Sequence, residues 1–226
     1  APMPAWQVDA WIGNCPPLTG RVWRYLSLFK LEDLFRTSTL YLARLDRQED
    51  ADEGRWPFGV EDLVFTNGVD PEQLRHALEA ERCRTYTSCW TLRRNVYDRM
   101  WEEYRAQDGA AVVVQVGNLI SALSSATEPL AVGGVVYRDR IDHEWVRRHH
   151  RVNTLVLPFQ KRTQFSWEQE VRVVHQVTAD EPPEAVRVPV CLDDLQVRIM
   201  PSPAADVHLL AELLGDLAPA TSAIEI

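Results

Sequence analysis

The stretch Phe165–His175, FSWEQEVRVVH, places two carboxylates one residue apart at the start of a β-strand. From Glu170 onward, valines alternate with Glu170 and Arg172, and this period of two residues is typical of a strand. Residues i and i+2 of a strand share a face, so we expect Glu168 and Glu170 to project together, with Arg172 next in line. A neighbouring cation lowers the pKa of a carboxyl group, so Arg172 favours ionisation of this pair.

Spacing alone leaves two interpretations of the Glu168–Glu170 pair open. A solvated strand face accommodates two carboxylates at little cost. In the alternative, the pair faces a cleft, where one carboxylate stabilises a developing positive charge and the other activates a nucleophile. The choice depends on which polar residues the rest of the chain brings to the pair.

Bulk composition narrows the classes of protein. The chain has 226 residues and a formal net charge of −9, which argues against a non-specific grip on a nucleic-acid backbone. The sequence contains no apolar run long enough for a membrane span and no signal peptide pattern at its first residues. The spacing of its four cysteines matches neither a zinc site nor a disulfide scaffold. We therefore expect a reduced, cytoplasmic protein with no membrane partner, and leave its oligomeric state open.

The hydrophobic pattern mixes strands and helices without a steady βαβ rhythm. It predicts a single α+β domain at 21–217, with antiparallel, split-sandwich-like sheets and flanking helices, after an irregular lead-in at 1–20 and before a frayed tail at 218–226. The predicted central strands are 21–26, 85–92 and 170–177. Further strands are predicted at 40–45, 110–116, 130–137, 185–190 and 196–200, and helices at 28–37, 70–82, 95–109, 119–125, 142–157 and 204–217.

Polar residues on the three central strands suggest a binding site. Arg24 lies in the first strand, Ser88 in the second, and Glu168 and Glu170 at the third. Taken singly, Arg24 suits an exposed strand and Ser88 a core-facing position. Taken together, they could grip a charged dinucleotide, since arginine binds phosphate bidentately and a glutamate can stabilise an oxocarbenium-like ribose.

This order of residues resembles the Arg–Ser–Glu branch of the mono-ADP-ribosyltransferases. The resemblance implies that Arg24 holds the phosphates of NAD and that Ser88 supports the nicotinamide ribose. It also implies that Glu170 is the catalytic glutamate and that Glu168 activates an acceptor. The chain departs from that family at Thr87-Ser88-Cys89, where Ser-Thr-Ser is usual. The other residues expected to bind NAD are Tyr25, Trp90, Lys161 and Arg172.

A second resemblance covers most of the chain. The segments WRYLSLFKLEDLFRTSTLYLARLDRQEDADEG, MWEEYRAQDGAAVVVQV, VVYRD and KRTQFSWEQEVRVV are similar to the bacterial family called domain of unknown function 2971. One departure is Ala51, where that family commonly has proline. The positions that match are Arg24-Tyr25, Asp50, Glu53, Met100-Trp101, Tyr104, Gly109, Lys161, Trp167, Glu168, Glu170 and Arg172.

Three functions follow as hypotheses. The first is an NAD-consuming mono-ADP-ribosyltransferase or NAD glycohydrolase, of the kind that toxins and defence effectors use. It would take NAD as substrate and need no metal. Its acceptor would be a protein, a nucleic acid or a small molecule. The second is a non-enzymatic module that binds a nucleotide or a partner. The third is a metal-dependent phosphodiesterase or nuclease, since acidic clusters with one lysine suit phosphodiester chemistry. Its residues would be Asp50, Glu53, Lys161, Glu168 and Glu170. The acidic loop of Glu49, Asp50, Asp52 and Glu53 could also pair with Arg55 and Arg172, although a solvated loop is the simpler expectation.

Overall fold

The computed structural model describes residues 6–7, 16–48, 50, 52–55, 70–92, 98–139, 154–217 and 223–224. The strands of this part are β1 (Trp6–Gln7), β2 (Arg21–Leu26), β3 (Thr39–Arg44), β4 (Thr85–Thr91), β5 (Ala110–Gln115), β6 (Leu130–Gly134), β7 (Val136–Tyr137), β8 (Gln160–Lys161), β9 (Glu170–Gln176), β10 (Ala185–Pro189), β11 (Arg198–Pro201) and β12 (Ala223–Ile224). The helices are α1 (Leu28–Thr37), α2 (Pro71–Arg84), α3 (Asp98–Glu103), α4 (Val116–Ala122), α5 (Leu192–Leu195) and α6 (Val207–Leu217).

These strands form a mainly antiparallel open sheet flanked by helices, which confirms the predicted α+β class. The main path of the sheet runs β1-β6-β9-β4-β2-β5-β11-β12, and β7 pairs separately with β8. The predicted central strands are β2, β4 and β9, and they lie side by side in this sheet. In the register, Glu170 is opposite Thr91, Arg172 is opposite Cys89, and Thr91 is opposite Trp23.

The sheet branches at β4. β2 pairs with one end of β4, at Trp23–Thr91, whereas β3 pairs with the other end, at Ala43–Thr87 and Arg44–Tyr86. β10 then continues the branch beyond β3. β2 and β3 therefore diverge along one edge of β4.

The two faces of the sheet differ in their cover. One face packs against apolar residues of α1, α4 and α6, and we call it the helix-covered face; Val22, Val171 and Val173 lie on it. The opposite face, named here the site face, holds the aromatic cluster of Trp23, Tyr25, Met100, Trp101, Ala106, Ala111 and Val113. Because side chains alternate along a strand, Glu170 and Arg172 project from the site face.

Several predicted elements shift or change type. The helix predicted at 119–125 is α4, which begins at Val116 and is followed by a 3₁₀ turn over Leu123–Ser125. It starts early because Val116, Leu119 and Ala122 are all buried at helical spacing. Most of the helix predicted at 142–157 lies outside the described residues, as does the start of the one at 95–109. The part at Thr154–Phe159 is a 3₁₀ turn.

Short strands lie at both ends of the sheet. β1 pairs in parallel with β6, and β12 pairs in parallel with β11. Neither was expected within the predicted lead-in and tail, because two residues are too few to show a period of alternation. None of the helices in the described part of the chain has the length and apolarity that crossing a membrane requires.

Candidate active site

The Glu168–Glu170 pair is formed at a sharp corner. Glu168 ends a 3₁₀ turn over Thr163–Glu168, and Gln169 adopts a left-handed conformation with φ of 45° before β9 begins. This conformation is unfavourable for a residue with a Cβ atom, so the surroundings must hold it. The Leu92 N–H donates to the Gln169 carbonyl at 3.0 Å, and the Thr91 hydroxyl donates to the Glu168 carbonyl.

The prediction that Glu168 lies on the same strand face as Glu170 was therefore wrong, because Glu168 is not part of the strand. Glu168 lies on a turn, where the two-residue period does not apply. The two carboxylates nevertheless meet, because Lys161 binds both of them. Its Nζ donates to Glu168 Oε2 at 2.5 Å and to Glu170 Oε1 at 2.9 Å.

A third carboxylate and a second cation complete an ion cluster. The Nη1 atom of Arg172 donates to Glu53 Oε1 at 2.7 Å and to the Pro158 carbonyl at 2.6 Å, while its Nε donates to Glu170 Oε2 at 2.5 Å. Glu53 Oε2 lies 3.4 Å from Lys161 Nζ. The ion cluster, as we use the term, comprises Glu53, Lys161, Glu168, Glu170 and Arg172.

Burial makes the charges of this cluster interdependent. Arg172 is 1% exposed, Glu53 3%, Glu170 4% and Glu168 5%. Buried charges are costly unless they are paired, and here three carboxylates face two cations. Protonation of one carboxylate would leave the cluster neutral.

The environment assigns that proton to Glu168. Burial, a hydrogen bond with Glu170 and the negative charge of Glu170 raise the pKa of Glu168 to about 8, against a smaller opposing effect of Lys161. Burial alone would also raise the pKa of Glu170. The charge of Arg172, the hydrogen bond with Glu168 and Lys161 together outweigh burial and hold the pKa of Glu170 well below its ordinary value. Near neutral pH the pair is thus one carboxylic acid and one carboxylate.

Two tyrosines border the pair. The backbone N–H of Glu170 donates to the Tyr137 hydroxyl at 2.8 Å. Burial and the charge of Glu170 raise the pKa of Tyr137, and the same two causes raise that of Tyr104. Both hydroxyls therefore keep their protons. Tyr104 also stacks on Tyr25, with ring centroids 5.9 Å apart, so the aromatic cluster of the site face adjoins the ion cluster.

Two side chains of the acidic loop, Asp50 and Glu53, are little exposed, which corrects the simpler expectation for these two residues. Glu53 is buried, and the Arg82 Nε donates to the Glu53 carbonyl at 2.7 Å. Gly54 has φ of +71°, and a Cβ there would lie 2.3 Å from a Leu45 methyl carbon. Asp50 instead pairs with Arg162, at 2.6 Å. Before the structure, Glu53 was named by the resemblance to domain of unknown function 2971, by the metal-dependent hypothesis and as part of an acidic loop able to pair with Arg172.

Arg24 and Ser88 lie apart from the pair, contrary to the expected shared cleft. Arg24 lies two residues from Val22 and Leu26, and Ser88 lies two residues from Tyr86 and Trp90. All four neighbours belong to the helix-covered core, so strand geometry places Arg24 and Ser88 on that face, opposite to Glu170. The Arg24 Nη2 donates to the Tyr41 carbonyl at 2.9 Å, where β2 and β3 diverge. Burial lowers the pKa of Arg24 to about 10, and no carboxylate in the described part of the chain pairs with it.

Trp90 belongs with this second group. The Arg24 guanidinium lies 5.8 Å from the centre of its ring. Ser88 Oγ and Trp90 Nε1 are both buried without a hydrogen-bond partner among the described residues. Of the residues expected to bind NAD, Tyr25, Lys161 and Arg172 share the side of Glu168 and Glu170, whereas Arg24, Ser88 and Trp90 do not. The order of residues along the chain did not reveal this separation, because it does not show which face of the sheet each side chain occupies.

The cluster also contains residues that the metal-dependent hypothesis named. The structure brings together Glu53, Glu168, Glu170 and Lys161, as that hypothesis requires. The Lys161 ammonium lies within 3.4 Å of all three carboxylates. Across the described ranges, no group of three or more His, Cys, Asp and Glu residues is arranged to hold a metal ion.

Scans of family models, curated proteins and solved structures returned no match to this chain. What the site does must therefore be inferred from its own chemistry.

Proposed function

We propose that the chain cleaves the bond between nicotinamide and ribose in NAD and passes the ADP-ribosyl group to an acceptor or to water. The observation that supports this best is the unequal pair, with Glu170 held as an anion and Glu168 carrying a proton of pKa about 8. Two carboxyl groups whose environments separate their pKa values suit the division of labour in glycosyl transfer.

Each carboxyl group has a separate role in this reaction. As the C1′–N bond breaks, nicotinamide leaves with the bonding electron pair, and the ribose acquires oxocarbenium character. The Glu170 carboxylate stabilises that positive charge. A hydroxyl of the acceptor, or a water molecule, then forms the new bond to C1′ and gives its proton to the ionised form of Glu168.

The charge of the ion cluster makes this chemistry dependent on pH. With Glu168 protonated, the two remaining carboxylates balance Lys161 and Arg172. With Glu168 ionised, the cluster has one excess negative charge, which favours a cationic transition state. The same ionisation creates the base that the nucleophile needs. Activity is thus expected to rise as the pH approaches about 8.

Access to the pair requires an exchange of hydrogen bonds. Lys161 is shared by Glu168 and Glu170, so a substrate hydroxyl must replace the ammonium at one of them. The rings of Tyr25 and Tyr104, which stack on each other, adjoin the cluster on the same face. Arg24 and Ser88 have no role in this proposal.

A non-enzymatic binding module is the second candidate function. It is favoured by one observation: Glu53, Glu168 and Glu170 are all buried and all paired with a cation. Buried ion networks also perturb pKa values in sites that perform no reaction.

Incubation with NAD separates these functions. Purified protein is incubated with NAD at pH 8, without added acceptor and with a cell extract as a source of acceptors, and free nicotinamide is measured by chromatography. The proposal expects nicotinamide release in at least one condition, together with a rise in melting temperature on NAD addition. Absence of release in both conditions contradicts it. A cytoplasmic location, where NAD is available, and a toxin or defence role belong to the same proposal.

A further inference from the structure

Glu53 reaches the ion cluster from a distant part of the chain. It is 119 residues from Arg172 in sequence, yet the two side chains are hydrogen-bonded. The same carboxylate lies 3.4 Å from Lys161, so Glu53 contacts both cations of the cluster. Neither contact involves a reacting atom in the proposed mechanism.

We infer that Glu53 is a positioning residue: by binding Arg172 and Lys161 together, it determines how these cations are shared between Glu168 and Glu170. The catalytic consequence of this inference rests on the proposed function, but its electrostatic consequence does not.

The geometry explains how Glu53 divides the cations. It occupies Nη1 of Arg172, which leaves Nε and Nη2 of the guanidinium for Glu170. An arginine fork presents its donors in fixed directions, so this arrangement orients the Glu170 carboxylate. On the other side, Glu53 offsets part of the charge of Lys161. Less positive charge then acts on Glu168, which keeps its proton more readily.

The backbone around Glu53 is built to hold it in place. Besides the hydrogen bond from Arg82, the Glu53 N–H donates to the Asp50 carbonyl at 2.9 Å. With φ of +71° and Leu45 in close contact, position 54 strongly favours glycine. The carboxylate therefore enters the cluster on a fixed support.

In the described part of the chain, the titratable groups around the cluster fall into two sets. The charged neighbours of Glu168 there are Glu170 and Arg172 on β9, Lys161 on β8 and Glu53 on its loop. The other titratable neighbours among these described residues are Cys89 on β4, Tyr137 on β7 and Tyr104 after α3. Burial raises the pKa of Cys89 to about 12 and is the first cause of the raised pKa values of both tyrosines. These three groups stay neutral from pH 5 to 9, so a titration observed in this pH range reports on the carboxyl groups.

The test is the titration of Glu168 in Glu53→Gln. The side-chain carboxyl of Glu168 is followed by ¹³C NMR and assigned by its loss in Glu168→Gln. Removing the charge of Glu53 leaves more positive charge near Glu168, so its midpoint should fall by about one pH unit or more. The control is Glu32→Gln on α1, which removes an exposed carboxylate paired with Arg36 and should leave the midpoint unchanged.

Glu53→Asp provides a second variant if the glutamine protein does not fold. It keeps the charge but withdraws it by one methylene group, so the midpoint should fall in the same direction by a smaller amount. An unchanged midpoint in whichever of the two variants folds overturns the inference. The pH profile of nicotinamide release should shift with the midpoint. If the midpoint falls but wild-type protein releases no nicotinamide, the proposed function fails and the assignment of Glu53 stands.

Discussion

The Lys161 ammonium is hydrogen-bonded to Glu168 at 2.5 Å, and this single contact links a 3₁₀ turn to the short strand β8. The same ammonium binds Glu170, so one lysine holds together two carboxyl groups that would otherwise repel. Burial and the negative charge of Glu170 nevertheless keep a proton on Glu168, although Lys161 opposes this. The protonation of Glu168 is therefore a property of the whole cluster, and it can be measured.

Folding stability should decline between about pH 5 and pH 8. The pKa of Glu168 is raised to about 8 in the folded protein and lies near 4.5 when unfolded, so the folded state binds its proton more tightly. Its contribution to the free energy of unfolding is complete below the unfolded pKa and is lost as the pH rises through about 8. Chemical denaturation at several pH values measures this decline, and it should be reduced in Glu168→Gln. An equal slope in both proteins would contradict the assigned proton.

On the acid side, Glu170 has the opposite effect. Its pKa is lowered on folding, so its contribution to stability is present above the unfolded value near 4.5 and is lost as the pH falls below it. Glu170→Gln should therefore lose less stability than wild type when the pH is lowered from 5 to 3. The same denaturation series tests this, with Glu32→Gln as the control.

Arg172→Lys should destabilise the fold although it keeps the charge. A single ammonium cannot reproduce the directed hydrogen bonds of the guanidinium to Glu53, Glu170 and the Pro158 carbonyl. Breaking a buried ion pair costs about 3 kcal/mol or more, so a loss of this size in the free energy of unfolding is expected. The matched control is Arg36→Lys, an exposed pair whose replacement should cost less than about 1 kcal/mol. Equal losses in the two variants would show that the network adds little.

Ser88→Ala should leave both nicotinamide release and stability nearly unchanged. Its Oγ is buried without a partner in the described part of the chain, so removing the oxygen removes an unsatisfied polar atom. Kinetics and thermal melts measure the two effects, and Thr91→Val is the contrasting variant, since its hydroxyl holds the Glu168 carbonyl. A large loss of activity in Ser88→Ala would show that Ser88 does contribute to the active site.

The fold was largely predictable, because its central strands alternate clearly. Val171 and Val173 identify the helix-covered face of β9, and the same pattern places Arg172 on the opposite face. The meeting of Glu53 with Arg172 was not predictable from periodicity, since no local pattern encodes a contact across 119 residues. The separation of Arg24 from Glu170 was missed for a related reason. Strand membership was correct for Arg24, but the face it occupies depends on the register between β2, β4 and β9.

Glu168→Gln should separate transfer from hydrolysis. The amide cannot accept a proton from an acceptor, so transfer should fall strongly, while slow release of nicotinamide to water stays measurable. The rise in rate toward pH 8 should disappear, because the titrating group is gone. The rates at which ADP-ribosylated product and free nicotinamide form, recorded from pH 6 to 9, test both expectations. A variant with the wild-type pH profile would show that another group titrates.

The most direct test of the central claim is the turnover of NAD by Glu170→Gln. This change preserves size and removes the charge that is proposed to stabilise the oxocarbenium. A group that acts mainly in the transition state affects kcat more than binding, so nicotinamide release should fall about a hundredfold or more. The dissociation constant of NAD, measured by calorimetry, should change by less than about threefold. Wild-type turnover in Glu170→Gln, or no nicotinamide release by the wild-type protein with any acceptor, would contradict the account.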